Sequence, residues 1–286
     1  MNHRIQLLLA ACLFAASLTA AAAPTAEQRQ QLNQAFSAYQ QQDYRRAHEL
    51  FLPLAQQGDA TAQHSLGLLY AEGEGVPQDY VRARYWYEKA AAQGSVDAQV
   101  NLGVLYLIGQ GVPQDYAHAR HWYEKAAAQG SANAQVNLGI LYAEGQGVPQ
   151  DYVRARYWYE KAAAQGYADA QYNLGNLYAE GHGVPQDYVR ARHWYEKAAT
   201  QGYVYAQHNL GFFYYITRDY AHARYWFEKA AAQGYAVAQT NLGVLYALGR
   251  GVPQDYARAR YWFEKAAAQG YSPAQSVLRR LQQEGH

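Results

Sequence analysis

Two histidines stand three residues apart, at His118 and His121, and this spacing places both side chains on one face of a helix. Imidazole nitrogens so placed are a possible pair of metal ligands. A parallel segment of the chain holds Arg154 and Tyr157 at the same two places. A cation and an aromatic ring in these positions indicate an exposed helix surface, so we expect no metal there.

Two carboxylates flank a glycine at Glu72 and Glu74, where a carboxyl pair can serve as general acid and base. The same loop reads Glu-Gly-Gln and Glu-Gly-His in later segments, which favours turn composition over chemistry. The pair Glu160 and Lys161 also recurs, as expected of a solvated helix face. Catalysis needs a constellation of residues that stands apart from the rest of the chain. We therefore predict no catalytic residue, no cofactor and no enzyme activity.

The composition limits the class of partner. The chain has 286 residues, of which 50% are hydrophobic, and it carries 24 Lys and Arg against 23 Asp and Glu. A nucleic-acid partner requires a clustered basic surface, and an anionic membrane requires a polybasic run. The sequence has neither. The length alone suggests about two domains of ~150 residues, but internal repeats override that count.

The first 22 residues have the form of a bacterial secretory signal peptide. Arg4 supplies the positive end, an apolar core follows at residues 5–20, and small residues precede Pro24. Cleavage after Ala22 leaves 24 − 1 = 23 basic residues against 23 acidic ones. We predict a periplasmic or secreted protein with no integral membrane span after cleavage.

The single cysteine, Cys12, lies within this apolar stretch and permits two interpretations. Residues 9–12 resemble a lipobox, which would make the protein a lipoprotein anchored through Cys12. The long apolar run after Cys12 instead favours a leader residue that is discarded on cleavage. In that case the mature chain has no thiol and no disulfide, which a chain with a sizeable core does not require.

Tryptophan recurs along the chain at intervals of 36 residues, with one interval of 32 before Trp226. A period of this size is typical of a solenoid of small helical units. One full unit, residues 131–166, contains two stretches with apolar residues at helical spacing. Each hairpin is too small to bury its apolar face alone, so neighbouring hairpins must stack. We expect the six tryptophans to lie at the contacts between units.

The breaks between these helices are also regular. Gly145 can adopt the left-handed conformation that ends the first helix, and Gly166 ends the second. Pro149 suits a helix start, and Asp151 can cap the orphan amides of the second helix. Small residues such as Gly139 recur and are expected to let two backbones approach closely.

The run LGILYAEGQGVPQDYVRARYWYEKAAAQG within this unit resembles the Sel1-like repeat, a relative of the tetratricopeptide repeat. The resemblance implies an all-α fold, a right-handed α/α solenoid of helix-turn-helix repeats. It says little about activity, because such folds host many functions. The predicted parts are a signal peptide at 1–22, an N-terminal capping hairpin at 23–58, six repeats at 59–94, 95–130, 131–166, 167–202, 203–234 and 235–270, and a C-terminal capping helix at 271–286.

The fifth repeat is shorter than its neighbours. Eleven positions separate Asn209 from Tyr220, whereas fifteen separate Asn173 from Tyr188. The N-terminal hairpin has the same short spacing, which is that of the tetratricopeptide repeat. All the recurring core positions are retained in the fifth repeat, so we predict two intact helices with one loop trimmed from one edge.

The resemblance also implies that the first helix of each unit lines the concave face and presents an asparagine to a bound peptide. The matching residues are Asn101, Asn137, Asn173, Asn209 and Asn241. An asparagine amide can bond both the N–H and the C=O of a peptide. The alternative, which does not exclude the first, is that these amides bond the backbones of neighbouring helices.

Aromatic and polar residues beside this ladder concentrate in the fourth and fifth repeats. They are Tyr172, Asn176, Tyr205, His208, Phe212 and Tyr215. Aromatic anchors dominate many binding energies, and the trimmed loop would widen access to them. We predict the main recognition site here. The alternative is that Phe212 and its neighbours only repack around a shorter turn.

Together these patterns predict an exported, non-catalytic, monomeric scaffold or adaptor that binds a protein or peptide through the concave face. The first helices carry no Lys or Arg before their loops, so a neutral or apolar segment fits better than a C-terminal carboxylate. Two alternatives stay open, a cell-envelope enzyme or receptor for peptidoglycan or a related glycan, and a secreted host-interaction factor. A related secreted family linked to β-lactam binding pairs cysteines in each repeat, and this chain has none of those cysteines.

Overall fold

A computed structural model of the chain describes residues 25–283. Its helices are α1 (Ala26–Gln40), α2 (Tyr44–Gln56), α3 (Ala60–Glu72), α4 (Tyr80–Ala92), α5 (Val96–Ile108), α6 (Tyr116–Ala128), α7 (Ala132–Glu144), α8 (Tyr152–Ala164), α9 (Ala168–Glu180), α10 (Tyr188–Thr200), α11 (Val204–Ile216), α12 (Tyr220–Ala232), α13 (Ala236–Leu248), α14 (Tyr256–Ala268) and α15 (Ser272–Gln283). No residue of this range lies in a strand, which confirms the all-α class. Between residues 25 and 283, no helix combines the length and the apolar content needed to cross a bilayer. The predicted signal peptide at 1–22, with Cys12, lies outside the described residues.

Residues 25–98 form one compact unit and residues 99–283 a second. In the first unit α1 pairs with α2, α3 pairs with α4, and α2 packs against α3. In the second unit α7 pairs with α8, α9 with α10, α11 with α12 and α13 with α14. The second helix of each of these pairs packs against the first helix of the next. Hairpins stacked in chain order are the arrangement predicted for a solenoid of helix-turn-helix repeats.

The helix ends lie where the repeat pattern predicts. Gly145 follows α7 with φ 70°, the left-handed conformation that closes a helix. Asp151 precedes α8, and its side chain accepts hydrogen bonds from two backbone N–H groups of the first turn. Gln150 fixes the loop between the two helices. Its side-chain amide donates to the carbonyl of Ala143 at 2.8 Å and to the hydroxyl of Tyr152 at 2.9 Å.

The fifth repeat keeps both of its helices, α11 and α12, as predicted. In the turn between them Arg218 has φ 63°, and Gln42 has φ 62° at the same place in the turn between α1 and α2. In the part of the chain that the structure describes, these are the two non-glycine residues with positive φ. Left-handed backbone costs such a residue roughly 1–2 kcal/mol. The two short turns therefore share one geometry, which the equal spacing in the sequence indicated.

The recurring glycine of the first helix makes room for a ring. The space beside Gly139 is filled by the side chain of Tyr159, and the space beside Gly103 by that of Tyr123. The close approach predicted at Gly139 is therefore between a backbone and an aromatic ring rather than between two backbones.

The tryptophans, predicted to lie at the contacts between units, are mostly half-buried. Trp86 is buried, whereas the other five are half-buried. Trp194 does contact two successive cores, one containing Tyr159 and the other containing Tyr195, which confirms its place between units. The large ring buried in each repeat belongs to the residue after the tryptophan. These residues are Tyr87, Tyr123, Tyr159, Tyr195, Phe227 and Phe263.

A pair of glutamines, not predicted from the sequence, links successive repeats. The buried Gln207 accepts a hydrogen bond from Nε2 of Gln233 at 2.8 Å and donates to the carbonyl of Ala199, in the preceding repeat, at 3.1 Å. Gln233 also donates to the carbonyl of Gly202 at 2.9 Å. The pair recurs as Gln63–Gln93, Gln99–Gln129, Gln135–Gln165, Gln171–Gln201 and Gln239–Gln269. These bonds satisfy polar groups that stacking removes from water.

Candidate functional site

Four tyrosines of the second unit lie together, and we call them the tyrosine cluster: Tyr172, Tyr203, Tyr205 and Tyr235. The ring centroids of Tyr172 and Tyr203 are 5.2 Å apart, and those of Tyr205 and Tyr235 are 5.4 Å apart. Tyr172 and Tyr205, both predicted site residues, have centroids 6.0 Å apart. All four residues are half-buried, so the cluster combines fixed rings with solvent access. It joins the fourth, fifth and sixth repeats in one aromatic surface.

Two members of the cluster stand at helix N-caps, where this repeat elsewhere has a capping side chain. Tyr167, Tyr203 and Tyr235 precede α9, α11 and α13, and none of the three side chains makes a capping hydrogen bond. Asp59 and Ser131, at the same repeat position, do cap α3 and α7. Loss of a good N-cap costs about 1 kcal/mol. Three successive repeats thus exchange a helix cap for an aromatic ring.

Tyr203 and Tyr235 were missed as site residues on sequence grounds. The signal that identifies them is the change from Asp or Ser to Tyr at one fixed position of the repeat, starting at the fourth copy. A residue at an N-cap position ordinarily indicates how a helix begins, and it does not by itself indicate a binding site.

Two phenol groups of the cluster, those of Tyr203 and Tyr235, are held in the protonated form. Burial, and secondly the carboxylate of Asp169, raise the pKa of Tyr203. Burial also raises the pKa of Tyr235. Each hydroxyl can both donate and accept a hydrogen bond in its protonated form. The rings and hydroxyls of the cluster therefore offer apolar area and hydrogen bonds, beside the carboxylate of Asp169.

His208 lies beside the cluster and bonds two of the predicted ladder asparagines. Nδ2 of Asn241 donates to Nε2 of His208 at 3.1 Å, and Nδ1 of His208 donates to Oδ1 of Asn209 at 3.2 Å. The His208 ring also lies 5.3 Å from that of Tyr235, edge to face. Burial lowers the pKa of His208, which keeps Nε2 unprotonated and able to accept. The histidine thereby connects α11 to α13.

The remaining predicted asparagines are also partly or fully withdrawn from solvent. Oδ1 of Asn176 accepts a hydrogen bond from the hydroxyl of Tyr195 at 2.7 Å. Asn101 is buried, and Asn137 and Asn173 are half-buried. The bonds of Asn176, Asn209 and Asn241 go to side chains of the protein. These bonds support the alternative in which the asparagines stabilise the fold. Their partners are side chains, whereas the expected partners were the backbones of neighbouring helices.

One face of α11 carries the predicted residues Tyr205, His208, Phe212 and Tyr215, spaced by three or four positions. Phe212 is 51% exposed and Ile216, one turn further, is 55% exposed. The counterparts of Phe212 in the other repeats are half-buried: Leu68, Val104, Ile140, Asn176 and Val244. Phe212 is thus a large apolar side chain that α11 presents to solvent.

Tyr214 and Tyr215, at the end of α11, pack against residues at the start of α12. Tyr214 stacks on His222 with a centroid distance of 5.0 Å. Tyr215 meets Tyr220 edge to face at 5.7 Å. Tyr214 and Tyr215 thus have partners within the fold, whereas Phe212 is left exposed.

The trimmed loop opens one edge of the second unit. In a full-length loop, His182 stacks on Tyr152 of the preceding repeat with centroids 4.4 Å apart. Arg250 likewise lies over Tyr220, at 5.6 Å from the ring centroid. The short turn of the fifth repeat has no residue that covers Tyr188, the equivalent tyrosine of the fourth repeat. Tyr188 is accordingly 53% exposed.

His118 and His121 have separate partners. Nδ1 of His118 lies 2.7 Å from Oδ2 of Asp115. The ring of His121 meets Trp122 edge to face at 5.5 Å. Over residues 25–283, no group of three or more His, Cys, Asp or Glu side chains is placed to hold a metal ion.

The repeat geometry agrees with a match to a known family. The Sel1 repeat model matches residues 36–59, 60–95, 96–131, 132–167, 168–203, 204–235 and 236–271. The chain belongs to the Sel1-repeat family. The match at 36–59 overlaps the hairpin predicted as an N-terminal cap at 23–58, so the Sel1 match extends into that hairpin.

Solved structures of Sel1-repeat proteins have the same fold. One is c5321, described as a protective antigen of uropathogenic Escherichia coli strains with a Sel1-like repeat fold. It is 39% identical with a TM-score of 0.84, and the match covers 91% of this chain and 57% of that protein. Another is a Sel1 repeat protein of Oxalobacter formigenes, 33% identical with a TM-score of 0.74, with 82% of this chain and 96% of that protein covered. This Sel1-repeat chain thus spans a little over half the length of c5321. No curated protein matches it.

Proposed function

We propose that this Sel1-repeat protein is an exported, non-catalytic adaptor that binds a protein or peptide segment. The binding surface is formed by the first helices of the fourth, fifth and sixth repeats, α9, α11 and α13. Its centre is the tyrosine cluster together with Phe212. Sel1 repeats commonly mediate protein–protein interaction, which supports this class of function.

The observation that carries the proposal is the loss of three helix caps in succession. Tyr167, Tyr203 and Tyr235 each occupy a position where an acid or a serine would stabilise the helix. Proteins retain locally unfavourable residues mainly where function requires them. Tyrosine is also among the residues most enriched at interface hot spots, because it combines a large ring with a hydrogen-bonding hydroxyl.

The surface also indicates the general chemistry of the partner. The helices α9, α11 and α13 contain no Lys or Arg, and their exposed large apolar side chains are Phe212, Ile216 and Leu248. Neutral phenols and a phenylalanine favour a segment with apolar or aromatic side chains and free backbone hydrogen-bonding groups. Such a segment would bury Phe212, which is otherwise left in water.

Export rests on the predicted signal peptide. Mass spectrometry of the protein purified from the periplasm or the medium should find Ala23 at the N-terminus. A lipid-modified Cys12 would instead identify a lipoprotein. The description of c5321 as a protective antigen is consistent with exposure outside the cell, and it motivates the host-interaction alternative.

The binding surface is tested with immobilised protein starting at Ala23 and envelope extract from the native cells. Tyr172→Ala combined with Phe212→Ala should abolish capture of the partner. The matched control is Val153→Ala combined with Tyr261→Ala, which alters exposed residues on second helices. Equal capture by both double variants, with helical content unchanged, would show that the surface is elsewhere. Sedimentation with purified peptidoglycan tests the glycan alternative. Binding of the parent protein to peptidoglycan that is lost in the Tyr172/Phe212 variant would favour that alternative.

A further inference from the structure

The short turn of the fifth repeat borders an open cavity of about 550 Å³. It is lined by Tyr215, Ile216, Arg218, Tyr220 and Arg250. Tyr215 stands where the sibling repeats have Ala or Leu, and Ile216 stands where three of them have Glu. Arg250 stands where they have Glu, Gln or His, and Arg218 has no counterpart in the full-length loops. Residues that distinguish the fifth and sixth repeats from their siblings therefore converge on one cavity.

The cavity is positively charged. Among residues 25–283, neither Arg218 nor Arg250 has a carboxylate within ion-pair distance. Arg258, in the same repeat as Arg250, does pair with Asp255. The carboxylate nearest in sequence, Asp219, is engaged as the N-cap of α12. Two guanidinium groups thus face this space with their charge uncompensated.

Arg250 is held in place by the two tyrosines. Its guanidinium donates a hydrogen bond to the hydroxyl of Tyr215. It also lies over the rings of Tyr215 and Tyr220, at 5.3 and 5.6 Å from their centroids. A guanidinium has five N–H donors in a planar fork that matches a carboxylate, and stacking on aromatic rings leaves the edge donors available. Because Arg250 is already ordered, less side-chain entropy is lost when an anion binds.

We propose that this cavity binds a carboxylate group on the partner segment. The inference rests on the proposed function and specifies it further, since Ile216 lines the cavity one turn beyond Phe212 on α11. A segment that covers Phe212 can therefore place an acidic residue between Arg218 and Arg250. The partner would then combine an apolar stretch with one carboxylate, which revises the expectation of a wholly neutral segment.

The test is a titration of the protein starting at Ala23, labelled with ¹⁵N-arginine and observed by NMR at the guanidinium Nε–Hε groups. The probes are three N-acetylated peptides together with inorganic phosphate. Two of the peptides have amidated C-termini, Ac-Ala-Glu-Ala-NH2 and Ac-Ala-Gln-Ala-NH2, and the third, Ac-Ala-Ala-Ala, has a free C-terminus. Comparison with Arg250→Gln assigns the signal of Arg250. We expect a saturable shift of that signal with the Glu peptide or the free carboxylate, and none with the Gln peptide. Whichever carboxylate peptide binds identifies a side-chain or a terminal source.

Two variants control the titration. Arg218→Gln introduces the residue that Gln42 already provides in the equivalent turn, and it should weaken carboxylate binding several-fold. Arg258→Gln removes the same charge from an ion-paired site and should leave binding unchanged. Equal shifts with the Glu and Gln peptides, no shift with any peptide, or a shift with phosphate alone would overturn the proposal.

Failure here is distinguishable from failure of the proposed function. If partner capture depends on Tyr172 and Phe212 while no peptide shifts Arg250, the adaptor function stands and the carboxylate site is wrong. If the carboxylate peptides shift Arg250 while capture is insensitive to Tyr172 and Phe212, the cavity binds carboxylates but the proposed surface is wrong.

Discussion

The ring of Tyr159 fills the space that a Cβ atom on Gly139 would need: such an atom would lie 2.3 Å from Cε1 of the ring. The same relation holds for Gly211 and Phe227, at 2.5 Å from Cδ1. Helix α8 thereby packs its buried ring directly onto the backbone of α7. Glycine within a helix costs roughly 0.5–1 kcal/mol relative to alanine, so its recurrence here indicates a steric requirement.

Gly139→Ala should therefore destabilise the protein despite the better helix propensity of alanine. Overpacking of a closed core costs about 1–3 kcal/mol, which exceeds the propensity gain. The measurement is the guanidinium midpoint followed by circular dichroism. Combining Gly139→Ala with Tyr159→Ala should cost less than the sum of the two single changes, because the clash is removed. An additive pair would show that ring and glycine do not interact.

The glutamine pair between repeats predicts a second stability effect. Gln207→Ala removes two hydrogen bonds, one from Gln233 and one to the carbonyl of Ala199. At about 0.5–1.5 kcal/mol for each bond, the change should cost about 1–3 kcal/mol. Gln275 is the matched control, since it has the same repeat position in α15 but is exposed. Gln275→Ala should change stability by less than about 0.5 kcal/mol. Similar losses for both variants would contradict a specific role of the buried pair.

A substitution at Gln42, the left-handed residue in the turn between α1 and α2, should stabilise the protein. Gln42→Gly should stabilise the protein by about 0.5–1 kcal/mol, because glycine adopts φ 62° without the steric cost of a side chain. Gln41→Gly, one residue earlier at φ −80°, should instead destabilise it. Thermal unfolding of the two variants beside the parent compares the effects. A lower midpoint for Gln42→Gly would mean that the turn holds glutamine without strain.

Acidification should lower the free energy of unfolding, in part through His208. Burial lowers the pKa of His208 below its usual 6.5, so the unfolded chain binds more protons below that pH. Stability is therefore lost as the pH falls from about 6.5 toward the lowered pKa. Protonation of Nε2 would also break the bond from Asn241.

The matching variant is His208→Thr, which installs the residue found at Thr240 in the sixth repeat. It should flatten the decline in unfolding midpoint between about pH 7 and pH 5. Part of the decline should remain, because burial also lowers the pKa of His64. Identical slopes for parent and variant would exclude His208 as a source of the pH dependence.

Much of the fold is predictable from the sequence because the repeat presents the same physical choices many times. Gly145 and Asp151 mark helix ends through a left-handed backbone and a capping carboxylate, and both are recognisable from residue type. The buried glutamines are not recognisable in this way. Gln207 is polar, and its burial depends on a partner 26 residues away and a carbonyl in another repeat.

The candidate site is predicted less completely. Phe212 stands out in the sequence because its counterparts are aliphatic or polar, and the structure leaves it exposed. Tyr203 and Tyr235 differ from the Asp or Ser of earlier repeats, but the sequence does not show what they contact. Their ring contacts across repeats, with Tyr172 and Tyr205, assign them to the cluster. The cavity at Arg250 is lined by residues of two repeats. Their spacing along the chain does not predict that they lie together.

Site-specific photo-crosslinking at Phe212 tests the central proposal most directly. Benzoylphenylalanine placed at Phe212, in the exported protein in its native cells, should crosslink to one discrete partner. The same probe at Tyr261, which is 50% exposed on α14, should not. A crosslink at position 212 alone is the predicted result. Absence of a crosslink at 212, or equal crosslinking at both positions in folded protein, would contradict the proposal that α9, α11 and α13 form the partner-binding surface.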